Sequence, residues 1–512
     1  MKRYHSTRSR TISRSAKEAI ALGIAPDGGL FVSDALGSEK LDVDALVDTD
    51  YPAIARAVLA LLLPDYTAGE IAACVDEAYR GTFASAEVTP VVELGSADAA
   101  DAAGDGPATF VLELFHGPTS AFKDVALQML PRLMARAGSA GDSRGGAGGG
   151  ERIMVVTATS GDTGKAALAG FADAPGCGIT VFYPEGKVSR VQELQMTTQE
   201  GANVAVCAVR GNFDDAQSAV KRIFADRELA ERLARQGWTL SSANSINVGR
   251  LVPQVVYYVA AYAQLVRAGA IEAGDKVEFC VPTGNFGDVL AGYYAKLLGL
   301  PVARLVVASD ANNVLFDFLT TGVYDRNRPF FTTTSPSMDI LISSNLERML
   351  YYLSDGDCEL VAELMAELAE RGRYEVPPEL LERIRAVFGC GWASEDEVAA
   401  AIHACWEDHG YLIDPHTACG YHVLGHLAPA TGAKARVLLS TASPYKFPRA
   451  VAEALGIEVP ADDFACMDAL AQATGTRPPA QLAALREAPV LHDDVVDIAD
   501  MGAFVEQAVA KL

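Results

Sequence analysis

From Thr109 onward the chain repeats one pattern: a short uninterrupted apolar run, a turn rich in Gly and small hydroxyl residues, then a stretch with helical spacing of its apolar positions. The runs fall at 110–114, 152–157, 179–183, 277–281, 304–308 and 436–440. Continuous rather than alternating hydrophobicity is what a strand buried on both faces requires, and strands that alternate with helices build a parallel sheet. The predicted class is therefore α/β. Residues 1–95 read as helical segments punctuated by the turn DGGLF at 27–31, residues 355–401 read as helical, and a last helical segment runs to Leu512. No internal repeat and no coiled-coil heptad interrupts this order.

Length turns the pattern into a multidomain expectation, because 512 residues exceed what one simple core holds. The string AGSAGDSRGGAGGG at 137–150 has too little apolar surface to order itself, and reads as a flexible surface loop or as a linker between domains. Charge narrows the partners: 42 Lys and Arg against 66 Asp and Glu leave a formal net charge of -24, which repels polyanions and argues against nucleic-acid binding. The longest apolar stretches, such as 255–266, are too short to span a bilayer, and residues 1–14 lack the apolar core of an export signal. Nine Cys without a CxxC pair fit free thiols in a reducing compartment, so the expected location is cytoplasmic, with no membrane association.

Three turns carry the candidate chemistry. In ELFHGPTSAFKD at 113–124, an apolar run ends in a Gly-Pro turn that delivers Lys123 at the start of an apolar helix. A semi-buried Lys can lose its proton and condense with a carbonyl; the plainer alternative is a surface Lys paired with Asp124. In TATSGDTGK at 157–165, small residues at a helix start offer N–H groups to a carboxylate or phosphate, or else Ser160 or Thr163 simply caps the helix. It is not a nucleotide P-loop, because only two residues separate Gly161 from Gly164 and Ala166 stands where Ser or Thr would bind magnesium. In PTGNFGD at 282–288, Gly284 and Gly287 let a phosphate approach the backbone at a helix N-terminus. Two such turns and an apolar-flanked Lys point to a phosphorylated cofactor that also forms a Schiff base, which is pyridoxal phosphate. The histidines at 403–426 lack an HExxH arrangement and no metal site is expected; no GxSxG elbow is present either.

The string HGPTSAFKD at 116–124 resembles the lysine motif of the threonine synthases. TSGDTG at 159–164, GNFDD at 211–215, SANSIN at 242–247, GNFGD at 284–288 and DPH at 414–416 follow in that family's order, and YHSTR at 4–8 and DGGL at 27–30 also match. The resemblance spans nearly the whole chain and is nearest the longer bacterial and fungal type, a fold-type II pyridoxal-phosphate enzyme related to the tryptophan synthase β chain. It implies two open twisted sheets flanked by helices: an N-terminal helical segment at 1–95, a large cofactor-binding α/β domain from 96–135 and 245–460, a small α/β domain at 136–244 and a C-terminal helical segment at 461–512.

By the same resemblance Lys123 would hold pyridoxal phosphate and shuttle protons, and Gly284, Asn285, Phe286, Gly287 and Asp288 would wrap the cofactor phosphate. Thr441 would face the pyridine nitrogen, and Ser160, Gly161, Asp162 and Thr163 would take the substrate carboxylate. Ser242, Asn244, Ser245, Asn247 and Arg250 would meet the substrate phosphate, although Arg250 could equally form an ion pair on a helix surface. The implied reaction converts O-phospho-L-homoserine and water to L-threonine and phosphate, in a monomer or homodimer. A phospho-lyase or a serine/threonine dehydratase of the same fold is the alternative. Two positions depart from the pattern: Ser443 stands where the family often has His, and Asp162 where related enzymes of the fold carry Asn.

Overall fold

All six apolar runs are strands in the computed structural model, which describes residues 3–95, 106–138, 152–159 and 161–512. The Gly-rich string at 139–150 and Ser160 lie outside the described residues. Four of the six strands sit in one six-stranded sheet whose order is Phe388–Trp392, Val302–Ser309, Lys276–Pro282, Ala433–Ser440, Ala108–Glu113 and Val91–Glu93. Every pairing in it is parallel except the last, where Val91–Glu93 runs antiparallel to Ala108–Glu113. A second, fully parallel sheet has the order Asp494–Asp497, Val204–Arg210, Cys177–Pro184, Arg152–Ala158 and Trp238–Ser241.

Both sheets reverse their direction of growth beside a central strand. In the large sheet the chain moves outward from Lys276–Pro282 through Val302–Ser309 to Phe388–Trp392, then returns to the other side of Lys276–Pro282 with Ala433–Ser440. In the small sheet it moves outward from Arg152–Ala158, then returns to that strand's other side with Trp238–Ser241. Such switch points open a crevice at the carboxyl ends of the strands, where neighbouring turns diverge. The turns at 283–288 and 441–446 flank one crevice, and those at 159–164 and 242–250 flank the other.

The structure departs from the sequence reading at both ends and once between. Residues 1–95 contain the helices Ala16–Leu22, Tyr51–Leu62 and Ala68–Tyr79, but also a three-stranded antiparallel sheet of Tyr4–Ser6, Ser9–Arg14 and Phe31–Ser33. Strands of three residues and a polar, half-exposed SRTISR are too short to display a period of two. They are fixed instead by tertiary contacts, such as the buried Tyr4 hydroxyl donating to Leu62 O at 2.7 Å. The C-terminal segment has helices at Asp463–Thr474 and Met501–Ala510, but Asp494–Asp497 is an edge strand of the small sheet. Phe388–Trp392, the sequence FGCGW, interrupts the helical reading of 355–401 as the opposite edge of the large sheet.

Lys123 opens the helix Lys123–Gly138, which packs across the helix Asp162–Phe171 and so couples the first two chemical turns. The crossing depends on Gly170, where a Cβ would overlap the backbone carbonyl of Leu127. Backbone cannot rotate aside as a side chain can, so Gly170→Ala is expected to cost roughly 2–3 kcal/mol of unfolding free energy in denaturant titration. An unchanged midpoint and slope would mean that the helix pair separates without penalty.

Candidate active site

Lys123 is delivered by a turn that consumes its own acid. The Asp124 carboxylate accepts the Thr119 backbone N–H at 2.8 Å and the Thr119 hydroxyl at 2.6 Å, and it stands where a side chain on Gly117 would be. Burial pushes the Asp124 carboxyl up to about 6. The pairing of Lys123 with Asp124 that the sequence left open does not form. Two backbone bonds, Phe122 N–H to Thr441 O at 2.8 Å and Ser443 N–H to Ser120 O at 3.0 Å, stitch the turn to the segment after Ala433–Ser440. They set the buried Thr441 beside the lysine turn.

The Lys123 side chain is 7% exposed, and its Nζ donates to Ser337 Oγ at 2.8 Å. Burial draws its ammonium down to about 8, against the attraction of Asp162. A lysine held there has a far larger uncharged, nucleophilic fraction near neutral pH than an exposed lysine.

Asp162 opens the helix Asp162–Phe171 and is also buried. Its Oδ1 meets Lys446 Nζ at 2.7 Å and Gln192 Nε2 at 3.3 Å. Its Oδ2 accepts from Ser337 Oγ at 3.1 Å and lies 3.7 Å from Lys123 Nζ. Burial alone would raise this carboxyl, but Lys446 and then Lys123 hold it far below the usual carboxylate range, so it is an anion. Of the two predicted caps, Ser160 lies outside the described residues, and Thr163 is partly exposed with the Thr159 hydroxyl accepting the N–H groups of Gly161 and Gly164 in its place. Gly161 adopts φ 140°, and a Cβ there would run into the Gln192 amide. The Ser337 N–H donates to His416 Nε2 at 3.2 Å, which leaves His416 Nδ1 to donate to Asp414 Oδ1 at 2.7 Å.

The third turn forms a cradle with the chain at 242–250. Phe286 is left-handed at φ 59°, and a Cβ on Gly284 would come within 3.0 Å of Met338 Cα, so both positions are set by close backbone approach. Beside Gly287, the head of the helix Gly287–Leu297, lie Ser245 and Asn345; the Asn345 N–H donates to Asn285 O at 3.1 Å. Among the described residues, two buried donors in these elements have no hydrogen-bond partner, Asn345 Nδ2 and Arg250 Nε. Arg250 is 5% exposed and donates to Ala243 O at 3.1 Å, which removes the surface ion-pair alternative; burial draws its guanidinium down to about 10. Glycines without side chains, a helix N-terminus and orphaned donors are what phosphate groups would satisfy. With an amine poised near neutrality alongside, the residues fit pyridoxal phosphate.

Two predicted contacts take a different form. The Asp288 Oδ1 accepts from the hydroxyls of Tyr257 at 2.6 Å and Tyr258 at 2.8 Å, which leaves its buried Oδ2 without a partner among the described residues, and burial pushes its carboxyl up to about 6. Asn247 is fully buried and its amide is occupied: Nδ2 donates to Ile20 O at 2.9 Å and Ser242 O at 3.3 Å, while Oδ1 accepts Gly249 N–H. It braces the turn rather than reaching a ligand. Ser242 is buried, with Oγ on Asn244 N–H at 3.1 Å, and Asn244 Oδ1 accepts from Thr157 at 2.9 Å. Ser337, His416, Lys446, Gln192 and Asn345 were not among the sequence candidates. Of these only His416 lay in a string with a signal, the DPH at 414–416.

Comparison with known proteins agrees with this geometry. Residues 84–441 match the family described as pyridoxal-phosphate dependent enzyme, residues 3–79 match threonine synthase N terminus, and residues 417–505 match threonine synthase, C-terminal. The chain is 38% identical to threonine synthase of Schizosaccharomyces pombe, over 88% of this chain and 89% of that protein. It is 38% identical to human threonine synthase-like 1 over 86% of this chain, and spans 58% of the human protein's length. Among solved structures it is similar to pyridoxal-phosphate-bound threonine synthase from Brucella melitensis, with TM-score 0.85, 37% identity and coverage of 99% of this chain and 100% of that one. Among the described residues no helix is long and apolar enough to cross a membrane. With matching regions at both ends and the cofactor-binding middle between them, the chain belongs to the threonine synthase family of pyridoxal-phosphate-dependent enzymes.

Proposed function

We propose that this protein converts O-phospho-L-homoserine and water to L-threonine and phosphate. The observation that carries the substrate is Arg250, a buried guanidinium that has, among the described residues, no carboxylate hydrogen-bonded or ion-paired to it and no partner for its Nε, and that is close enough to Lys123 to oppose its charge. A dehydratase of unphosphorylated amino acids has no use for a second anion position, whereas a phosphorylated substrate needs one.

Pyridoxal phosphate, when bound, supplies the electron sink that lets the Cα and Cβ protons and then the γ-phosphate leave the substrate. The chain's residues do the rest. Lys123 Nζ would hold the cofactor and, as a free amine, would take the substrate's Cα proton. The N–H groups at 284–288 would hold the cofactor phosphate, and Thr441 would offer a neutral hydroxyl to the ring nitrogen. Gly161, Asp162 and Thr163, with Ser160, offer the helix N-terminus to the substrate carboxylate through its backbone, the Asp162 side chain being held by Lys446 and Gln192. Arg250, with Ser242, Asn244 and Ser245, takes the γ-phosphate and remains its partner as it departs. We place the reaction in the cytoplasm, in a monomer or homodimer.

Incubation of the purified holoenzyme with O-phospho-L-homoserine is expected to release phosphate and L-threonine in equal amounts. Phosphate with an oxo acid and ammonia in place of threonine would move the answer to a phospho-lyase. Turnover of serine or threonine without turnover of the phosphate ester would move it to a dehydratase.

A further inference from the structure

Lys446 has no part in the reaction as read above, yet its side chain is 0% exposed at the edge of the site. It ends the turn Pro444–Lys446, and its Nζ meets Asp162 Oδ1 at 2.7 Å and Thr119 O at 3.1 Å. A buried ammonium needs a counter-charge, and Asp162 is the carboxylate that pairs with it. The other oxygen of that carboxylate, Oδ2, faces Lys123 without closing on it: the separation is 3.7 Å, and Ser337 Oγ bridges the two groups at 2.8 Å and 3.1 Å. One carboxylate therefore stands between two lysines, and the direct contact is with the lysine outside the reaction.

We propose that Lys446 is a positioning residue: by holding Asp162 Oδ1 it keeps that carboxylate from closing on Lys123, which is left to the neutral Ser337 hydroxyl and can act as an uncharged amine. The inference rests on the reading of Lys123 as the cofactor-bearing lysine. The charged groups that face Lys123 are Asp162 from the head of Asp162–Phe171, Arg250 from the short helix Val248–Leu251 and Lys446 from the turn Pro444–Lys446. The Phe122 ring lies 5.3 Å from its Nζ, and His416, backed by Asp414, reaches it only through the Ser337 backbone. Burial disfavours a proton on Lys123, Asp162 favours it, and Arg250 and Lys446 oppose Asp162. Without Lys446, only Arg250 opposes Asp162 and Asp162 has Lys123 as its own nearest cation, and an ion pair of that kind keeps the amine charged.

The test follows the amine itself. Pulse acetylation of the apoprotein across pH, read by peptide mass spectrometry at Lys123, gives the midpoint at which the amine becomes reactive. Lys446→Met is expected to raise that midpoint by about one pH unit or more, and the double variant Lys446→Met/Asp162→Asn, which removes both charges, is expected to return it to within roughly half a unit of the unaltered protein. An unmoved midpoint in Lys446→Met overturns the proposal, as does a double variant that stays with the single one. Should Lys446→Met fail to fold, the double variant carries the test alone, and an upward shift of a unit or more in it overturns the proposal. Borohydride reduction of the holoenzyme, followed by peptide mapping, separates the two readings. A pyridoxyl group on another lysine removes the role given to Lys123, whereas a pyridoxyl group on Lys123 with an unmoved midpoint removes only the role given to Lys446.

Discussion

Lys123→Ala is expected to lower kcat for phosphate release by roughly 10^4-fold or more and to abolish the near-visible absorbance of the holoenzyme. Two functions are lost together, the covalent hold on the cofactor and the base that removes the Cα proton. Free amines in solution replace the first only weakly and leave the second unpositioned, because Lys123 Nζ is fixed by Ser337 Oγ at 2.8 Å in a site that is otherwise closed. The fold is expected to survive. The helix Lys123–Gly138 is anchored by Leu127, Leu130, Leu133 and Met134 in the core, and the turn before it by Asp124 and Thr119, none of which needs the ammonium. The group removed is one whose burial already disfavours its charge, so the unfolding free energy is expected to stay level or rise slightly. A retained absorbance band, or a loss of activity below about tenfold, would place the cofactor on another residue.

The legible part of this molecule was the part whose physics is local. Six strands buried on both faces write themselves as continuous apolar runs, and the turns after 113, 158 and 282 were visible because glycine and small hydroxyl residues gather where backbone N–H groups must stay open. Lys123, the Gly284 to Gly287 turn and Asp162 could be found from such strings, and all three meet at one site. Edge strands were not legible. Asp494–Asp497 joins the small sheet although more than 280 positions separate Asp494 from its partner Cys207, and FGCGW at 388–392 places Gly at every second position, a composition that speaks against a strand interior. Lys446 and Ser337 were hidden for a related reason. A lysine two residues after a proline reads as surface, and a serine in the polar string TTTSPSMD at 332–339 reads as loop, until tertiary structure buries the first and sets the second against Lys123. Asn247 shows the converse. Its string marks the turn, but a motif does not say whether a given side chain faces outward or is taken up by the backbone around it.

Arg250→Met is expected to separate function from stability in opposite directions. For O-phospho-L-homoserine, kcat/KM should fall by roughly 10^2- to 10^3-fold, about 3–4 kcal/mol, the cost of removing a charge-assisted partner from a phosphate dianion inside a dry site. The near-visible band should remain, because Arg250 is not among the residues proposed to hold the cofactor, and any slow deamination of an unphosphorylated amino acid should be spared. The apoprotein, by contrast, should gain stability. Arg250 is buried with a single backbone acceptor at 3.1 Å and an unpartnered Nε, so without substrate it is a charge taken out of water and incompletely compensated. An isosteric apolar side chain removes that penalty, and a gain of about 1–3 kcal/mol in the denaturant unfolding free energy is the expected size. A buried cation that costs stability in the empty protein and pairs only when an anion arrives is the arrangement a substrate-phosphate site requires. Loss of stability together with unchanged kcat/KM would show that Arg250 supports the fold through Ala243, and would return the γ-phosphate to the turn around Ser245.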